Sequence, residues 1–179
     1  GTTFFLALSL ERVPFSFDIN PIATNVCKSL YMLFDPSVNK ESIKGKLLQL
    51  CEGYDESKDY TVGLSTCQKE LSGWFEKRTF NEISFLFYQV EHLQDSTVQK
   101  VMSLILSSLL VTLSSQNKGW AYIADNVKPK DDELKKKHVF EQYILTTKIL
   151  LNDIIDHESH LSRSFSDFYP NIFNKERIF

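Results

Sequence analysis

The sequence predicts a helix-rich α/β fold carrying a large helical insertion, and three observations point to it. A short β-branched and aromatic segment, Val13 to Phe17, ends at Asp18 and is followed at once by a helix start at Asn20-Pro21. That order is the strand-to-helix rhythm of an open sheet. Between residues 37 and 115, successive segments carry helical periodicity with no alternating strand among them. A second short strand candidate, Trp120 to Ala124, precedes one long helical pattern.

The elements follow in order. Thr2 or Thr3 can cap an opening helix whose surface is supplied by Phe4, Leu6, Ala7, Leu8 and Leu10. The strand Val13 to Phe17 has Pro14 near its start, where proline is tolerated. Asn20 is a good N-cap and Pro21 suits the first helical position, so a helix runs to about Phe34 with Ile22, Val26, Leu30 and Leu33 on one face. The insertion reads as helices over Ser42 to Tyr54, Leu64 to Glu76, Phe80 to His92 and Val98 to Ser115, with a polar turn at Asp55 to Asp59. The strand Trp120 to Ala124 closes at Asp125-Asn126. A long helix is then expected from about Asp131 to Ile155, its first turn holding Asp131, Asp132 and Glu133, which suit the helix dipole. Residues 159–179 show no clear period. The expected domains are therefore 1–36, a partial α/β region; 37–115, the helical insertion; and 116–179, a short strand, basic loop, long helix and tail returning to the core.

Composition narrows the class. The 179 residues are 42% hydrophobic and 24% charged, with 6 Gly and 5 Pro, which excludes a disordered or collagen-like chain. A net charge of −3 gives no whole-surface attraction to nucleic acid but leaves room for a local basic patch. Cys27, Cys51 and Cys67 are odd in number and widely spaced, which reads as reduced thiols of a cytoplasmic protein. The longest apolar run, Val101 to Leu113, is interrupted by serines and a threonine and reads as a core helix rather than a membrane span. No signal peptide is visible and no membrane partner is expected. The chain opens at Gly1 inside a pattern, as a fragment would.

The N-terminal residues carry the chemistry. A helix N-terminus presents N–H groups that favour an anionic ligand group. A carboxylate at the end of the next strand can accept hydrogen bonds from two ribose hydroxyls. The segment GTTFFLALSLERVPFSFDINPIATNV resembles the S-adenosylmethionine-binding region of DNA methyltransferases that modify the exocyclic amine of adenine or cytosine. The matching positions are Gly1, Thr2 and Thr3, then Asp18, Ile19, Asn20, Pro21 and Ala23. LSGWFEKRTFNEISFLFYQVEHL, SSLLVTLSSQNKGW and NVKPKDDELKKKHVFEQYI resemble further segments of that family in the same order, so the resemblance covers most of residues 1–155. It implies that the chain forms part of a Rossmann-like methyltransferase sheet. It implies S-adenosylmethionine as cofactor, with Asp18 on the ribose hydroxyls and Gly1 and Thr2 near the amino-acid moiety. DNA is the implied partner.

The departures are equally specific. Arg12 to Ser16 stands where the family has a glycine-containing turn and strand. The chain contains no Pro-Pro, so the family's catalytic motif is missing and no residue is assigned as catalytic. The resemblance then implies a downstream segment or second chain that carries it. A non-enzymatic helical interaction module is the alternative reading.

Two other clusters invite assignment. Lys128, Lys130, Lys135, Lys136 and Lys137 lie beside Asn117, Lys118 and Trp120, a stretch that suits phosphate contact but is partly neutralised by Asp131, Asp132 and Glu133. Asn117, Lys118, Trp120, Lys128 and Lys130 are the candidate nucleic-acid contacts; a solvated surface is the competing reading. His157 and His160, near Asp153 and Asp156, have helical ligand spacing without a cysteine partner or second cluster, so no metal is expected. Trp74-Phe75 and the stripe Phe80, Ile83, Phe87 and Val90 read as core.

Overall fold

The computed structural model describes residue 19 and residues 21–35, 37–116 and 128–165. These residues contain α- and 3-10 helices and no strand. The expectation of a Rossmann-like α/β sheet is therefore corrected to a helical architecture. Both segments read as strands, 13–17 and 120–124, lie outside the described residues, as does the expected opening helix.

The chain divides into two compact units, Gly1–Lys44 with Lys148–Phe179, and Gly45–Thr147. In the first unit, α1 spans Pro21–Leu33, starting where the Asn20-Pro21 pair places a helix start. Asp35 then turns the chain: its carboxylate accepts from the Ser37 N–H and hydroxyl, and its carbonyl accepts from the Lys40 ammonium at 2.8 Å. Asn39 caps α2 (Lys40–Gln49) by accepting from Ser42 N at 2.8 Å. Leu33, Ile43, Leu151 and Ile154 are buried.

The second unit is built on α4 (Lys77–His92) and α5 (Ser96–Leu113), which pack together. Phe80, Ile83 and Leu86 of α4 are buried at helical spacing, and so are Val98, Val101, Met102, Ile105, Leu109 and Leu113 of α5. Each such side chain contributes about 1.5–3 kcal/mol on burial. α5 is long and apolar enough to cross a membrane by length and composition, yet this stripe packs into the unit, and Ser103 and Ser107 on its exposed side bond back to helix carbonyls. Tyr54, Tyr60, Phe85 and Phe140 form an aromatic cluster with centroids 4.9–6.0 Å apart, packing the 3-10 turn Tyr60–Gly63 against α4.

Three boundaries differ from the sequence reading. The helix expected over Ser42 to Tyr54 stops at Gln49 and gives way to turns. The helix expected over Leu64 to Glu76 is two short pieces, α3 (Thr66–Glu70) and a 3-10 turn at Leu71–Trp74. Ser65 and Gln68 form a reciprocal capping box that starts α3 late, and Phe75 is extended and buried, which stops the helix before Glu76. The long helix, α6, spans Val139–Phe165, not 131–155. Asp131, Asp132 and Glu133 make their own 3-10 turn instead of opening it.

Candidate functional site

The described part of the basic stretch, residues 128–138, runs along the second unit as a strap whose one regular piece is the 3-10 turn Asp131–Glu133. Lys130 opens the turn Asp131–Glu133, and the Glu133 carboxylate folds back to accept from Lys130 N at 2.9 Å. Beyond Leu134 the strap is fastened by hydroxyls. Lys135 N donates to Ser115 Oγ at 2.8 Å, and Lys137 N donates to Thr79 Oγ1 at 2.9 Å. Ser115 is itself held, its N–H donating to the Trp74 carbonyl at 2.8 Å. These bonds keep residues 135–137 out of a helix, which is why α6 starts only at Val139. Lys128, Lys130, Lys135 and Lys136 are exposed and Lys137 is half-buried.

The strap runs to the N-terminus of α4. There Glu76 caps the helix, its two carboxylate oxygens accepting from Arg78 N at 3.0 Å and Thr79 N at 3.1 Å. Burial pushes this carboxyl up, but the hydrogen bonds from Arg78 and Thr79 and the nearby charge of Lys136 outweigh it and hold it below the ordinary glutamate value. Lys77 follows, exposed, on the first turn.

At the other end of the strap lies a shallow groove of about 260 Å³, lined by Leu71, Trp74, Phe75, Leu110, Val111 and Ser114. Phe75 is buried, as read from sequence. Trp74 is half-buried and lines the groove. The Lys128 stem lies over Gly73, where an added Cβ would meet its Cδ at 2.9 Å, and the Lys128 ammonium reaches the Glu70 carbonyl at 3.5 Å.

Of the sequence-assigned cofactor residues, Gly1, Thr2, Thr3, Asp18 and Asn20 lie outside the described residues. Ile19 is fully exposed, and Pro21 is the first residue of α1. Asn117, Lys118 and Trp120 lie outside as well, so of the nucleic-acid candidates the structure places Lys128 and Lys130 alone. Among the described residues no group of three His, Cys, Asp or Glu forms a metal site. The side chains of His157 and His160 fall outside that set. Sequence reasoning passed over Thr79, Ser115 and Lys77. Single hydroxyls 58 and 20 residues from their lysine partners leave no local pattern to detect.

No family model matches the chain, and neither a curated protein nor a solved structure matches it.

Proposed function

We propose that the chain is part of an S-adenosylmethionine-dependent DNA methyltransferase that modifies an exocyclic amino group of adenine or cytosine. The observation that carries this reading is the pair of segments Gly1-Thr2-Thr3 and Asp18-Ile19-Asn20-Pro21. The start of α1 at Pro21 supports it, because the ribose-binding carboxylate of such a site immediately precedes a helix. On this reading Asp18 accepts from the ribose hydroxyls, Gly1 and Thr2 approach the methionine moiety, and the lysine strap faces DNA. The target base must leave the duplex to be methylated. No Pro-Pro-aromatic motif lies between Gly1 and Phe179, so on this reading no residue of these 179 is assigned to stack the base.

Equilibrium dialysis of tritiated S-adenosylmethionine against the chain tests the proposal. Weak saturable binding that Asp18→Ala abolishes is the expected result. Absence of binding, or binding indifferent to Asp18→Ala, overturns it.

A non-enzymatic helical interaction module is the second reading. It is favoured by the apolar groove at Trp74, Leu110 and Val111, with Val111 62% exposed. A folded chain that fails to bind the cofactor leaves this reading in place.

A further inference from the structure

We propose that Lys77, Lys135 and Lys136 form a ridge that contacts the phosphate backbone of duplex DNA. The inference rests on the DNA-methyltransferase reading and moves the centre of the DNA contact away from the lysines that the sequence alone singles out. Lys130 is followed in the chain by three consecutive acidic residues, Asp131 to Glu133, and the Glu133 carboxylate is bonded to its backbone N–H. Lys128 is laid over Gly73 with its ammonium beside the Glu70 carbonyl. The Lys128 ammonium is thus already engaged, and the charge of Lys130 is offset by the acidic run that follows it.

Lys135 and Lys136 differ in three respects. No acidic residue separates them from each other or from Lys137. Their backbone is pinned at alternate residues, Lys135 to Ser115 and Lys137 to Thr79, so the two exposed side chains project from a fixed segment and lose little backbone freedom on binding. The Thr79 bond also brings the strap to the first turn of α4, where Lys77 adds a third exposed cation. Among the described residues, the carboxylates of Glu76 and Asp59 adjoin the ridge. Glu76 lies beside Lys136 and is engaged by the N–H groups of α4, and Asp59 lies near Lys77 and is engaged by Thr61. Lysine ammoniums are point charges that follow phosphates without reading base edges, so the contact is sequence-independent.

The experiment is fluorescence anisotropy of a labelled mixed-sequence duplex with the full chain between about 50 and 200 mM salt. K135Q/K136Q is expected to lower the slope of log affinity against log salt by about 2, and K77Q by about 1. K135R/K136R should restore the slope. K100Q, on the exposed side of α5 and about 20 Å along the helix axis from its end at Leu113, should leave it unchanged. An unchanged slope in K135Q/K136Q, an equal loss in K100Q, or no duplex binding by the unmodified chain overturns the ridge. Asp18→Ala separates this from failure of the parent reading: it should lose cofactor and keep its duplex affinity.

Discussion

The backbone N–H of Lys137 donates to the hydroxyl of Thr79, 58 residues earlier, at 2.9 Å, and Thr79 is completely buried. That one bond ties the lysine strap to the first turn of α4 and helps delay the start of α6 to Val139. Thr79→Val keeps the shape and removes the acceptor. It should cost about 1 kcal/mol, the low end of the penalty for an unsatisfied donor, because the Lys137 N–H is half-buried and water can reach it in part. Urea denaturation should show a lower midpoint with the slope unchanged. Amide exchange should quicken at residues 135–138.

Much of the helical part was legible in the sequence, for local reasons. Asn20-Pro21 marks the start of α1, and the apolar spacing of Phe80 to His92 and Val98 to Ser115 marks α4 and α5 to within a few residues. The start of α6 was not legible. Asp131 to Glu133 followed by an apolar-periodic run has every local mark of a helix N-terminus. What overrides them is tertiary: hydroxyls from α4 and the end of α5 capture the intervening N–H groups. The Ser65–Gln68 capping box was a readable signal for the later start of α3 at Thr66; the change to a 3-10 turn at Leu71 carries no such local mark. For the site, the sequence flagged the lysines as a group, but which of them are held near carboxylates or carbonyls depends on contacts that spacing does not encode.

Asp95 caps α5 through Thr97 N at 3.1 Å and Val98 N at 3.3 Å while accepting from Lys46 at 2.7 Å. Asp95→Ala should cost about 0.5–2 kcal/mol, and Lys46→Met less, because half-exposed ion pairs contribute little. The Lys46 hydrogen bond, then the Val98 N–H, hold the Asp95 carboxyl below its ordinary value. Its stabilising contribution is therefore complete above the unfolded-state pKa, about 3.9, and is lost as pH falls through the lower folded value. The stability gap between the parent chain and Asp95→Ala should hold at neutral pH and shrink in acid, as followed by denaturation at a series of pH values.

The cysteines should separate by reactivity. Cys67 is exposed on α3, whereas burial first, and the Glu52 charge second, push the Cys51 thiol up to about 11. Thiolate is the reactive form, so at pH 8 a maleimide should label Cys67 well before Cys51. Peptide mapping of the labelled chain reads the order directly. Fast labelling of Cys51 in the folded chain would contradict its placement.

Asn81 and Glu56 both hold the 50s loop to α4, and they should not matter equally. The Asn81 side chain accepts from Tyr60 N at 2.8 Å and donates to the Lys58 carbonyl at 2.9 Å and the Tyr54 hydroxyl at 3.3 Å. The Tyr60 and Tyr54 bonds are partly buried, and their ring carriers pack on Phe85. Removing the amide leaves the partly buried Tyr60 N–H and Tyr54 hydroxyl without this partner, while the exposed Lys58 carbonyl can turn to water. Glu56 reaches Arg78 at 2.8 Å, but both side chains are largely solvated, and Arg78 keeps Glu82 as a second partner at 3.2 Å. Screening and side-chain entropy consume most of such a pair's attraction. Asn81→Ala should therefore lower stability by about 1–3 kcal/mol and speed amide exchange across residues 55–61. Glu56→Gln should be indistinguishable from the parent in urea and insensitive to added salt. A larger loss from Glu56→Gln than from Asn81→Ala would mean that the loop is held by charge rather than by its hydrogen-bonded amide.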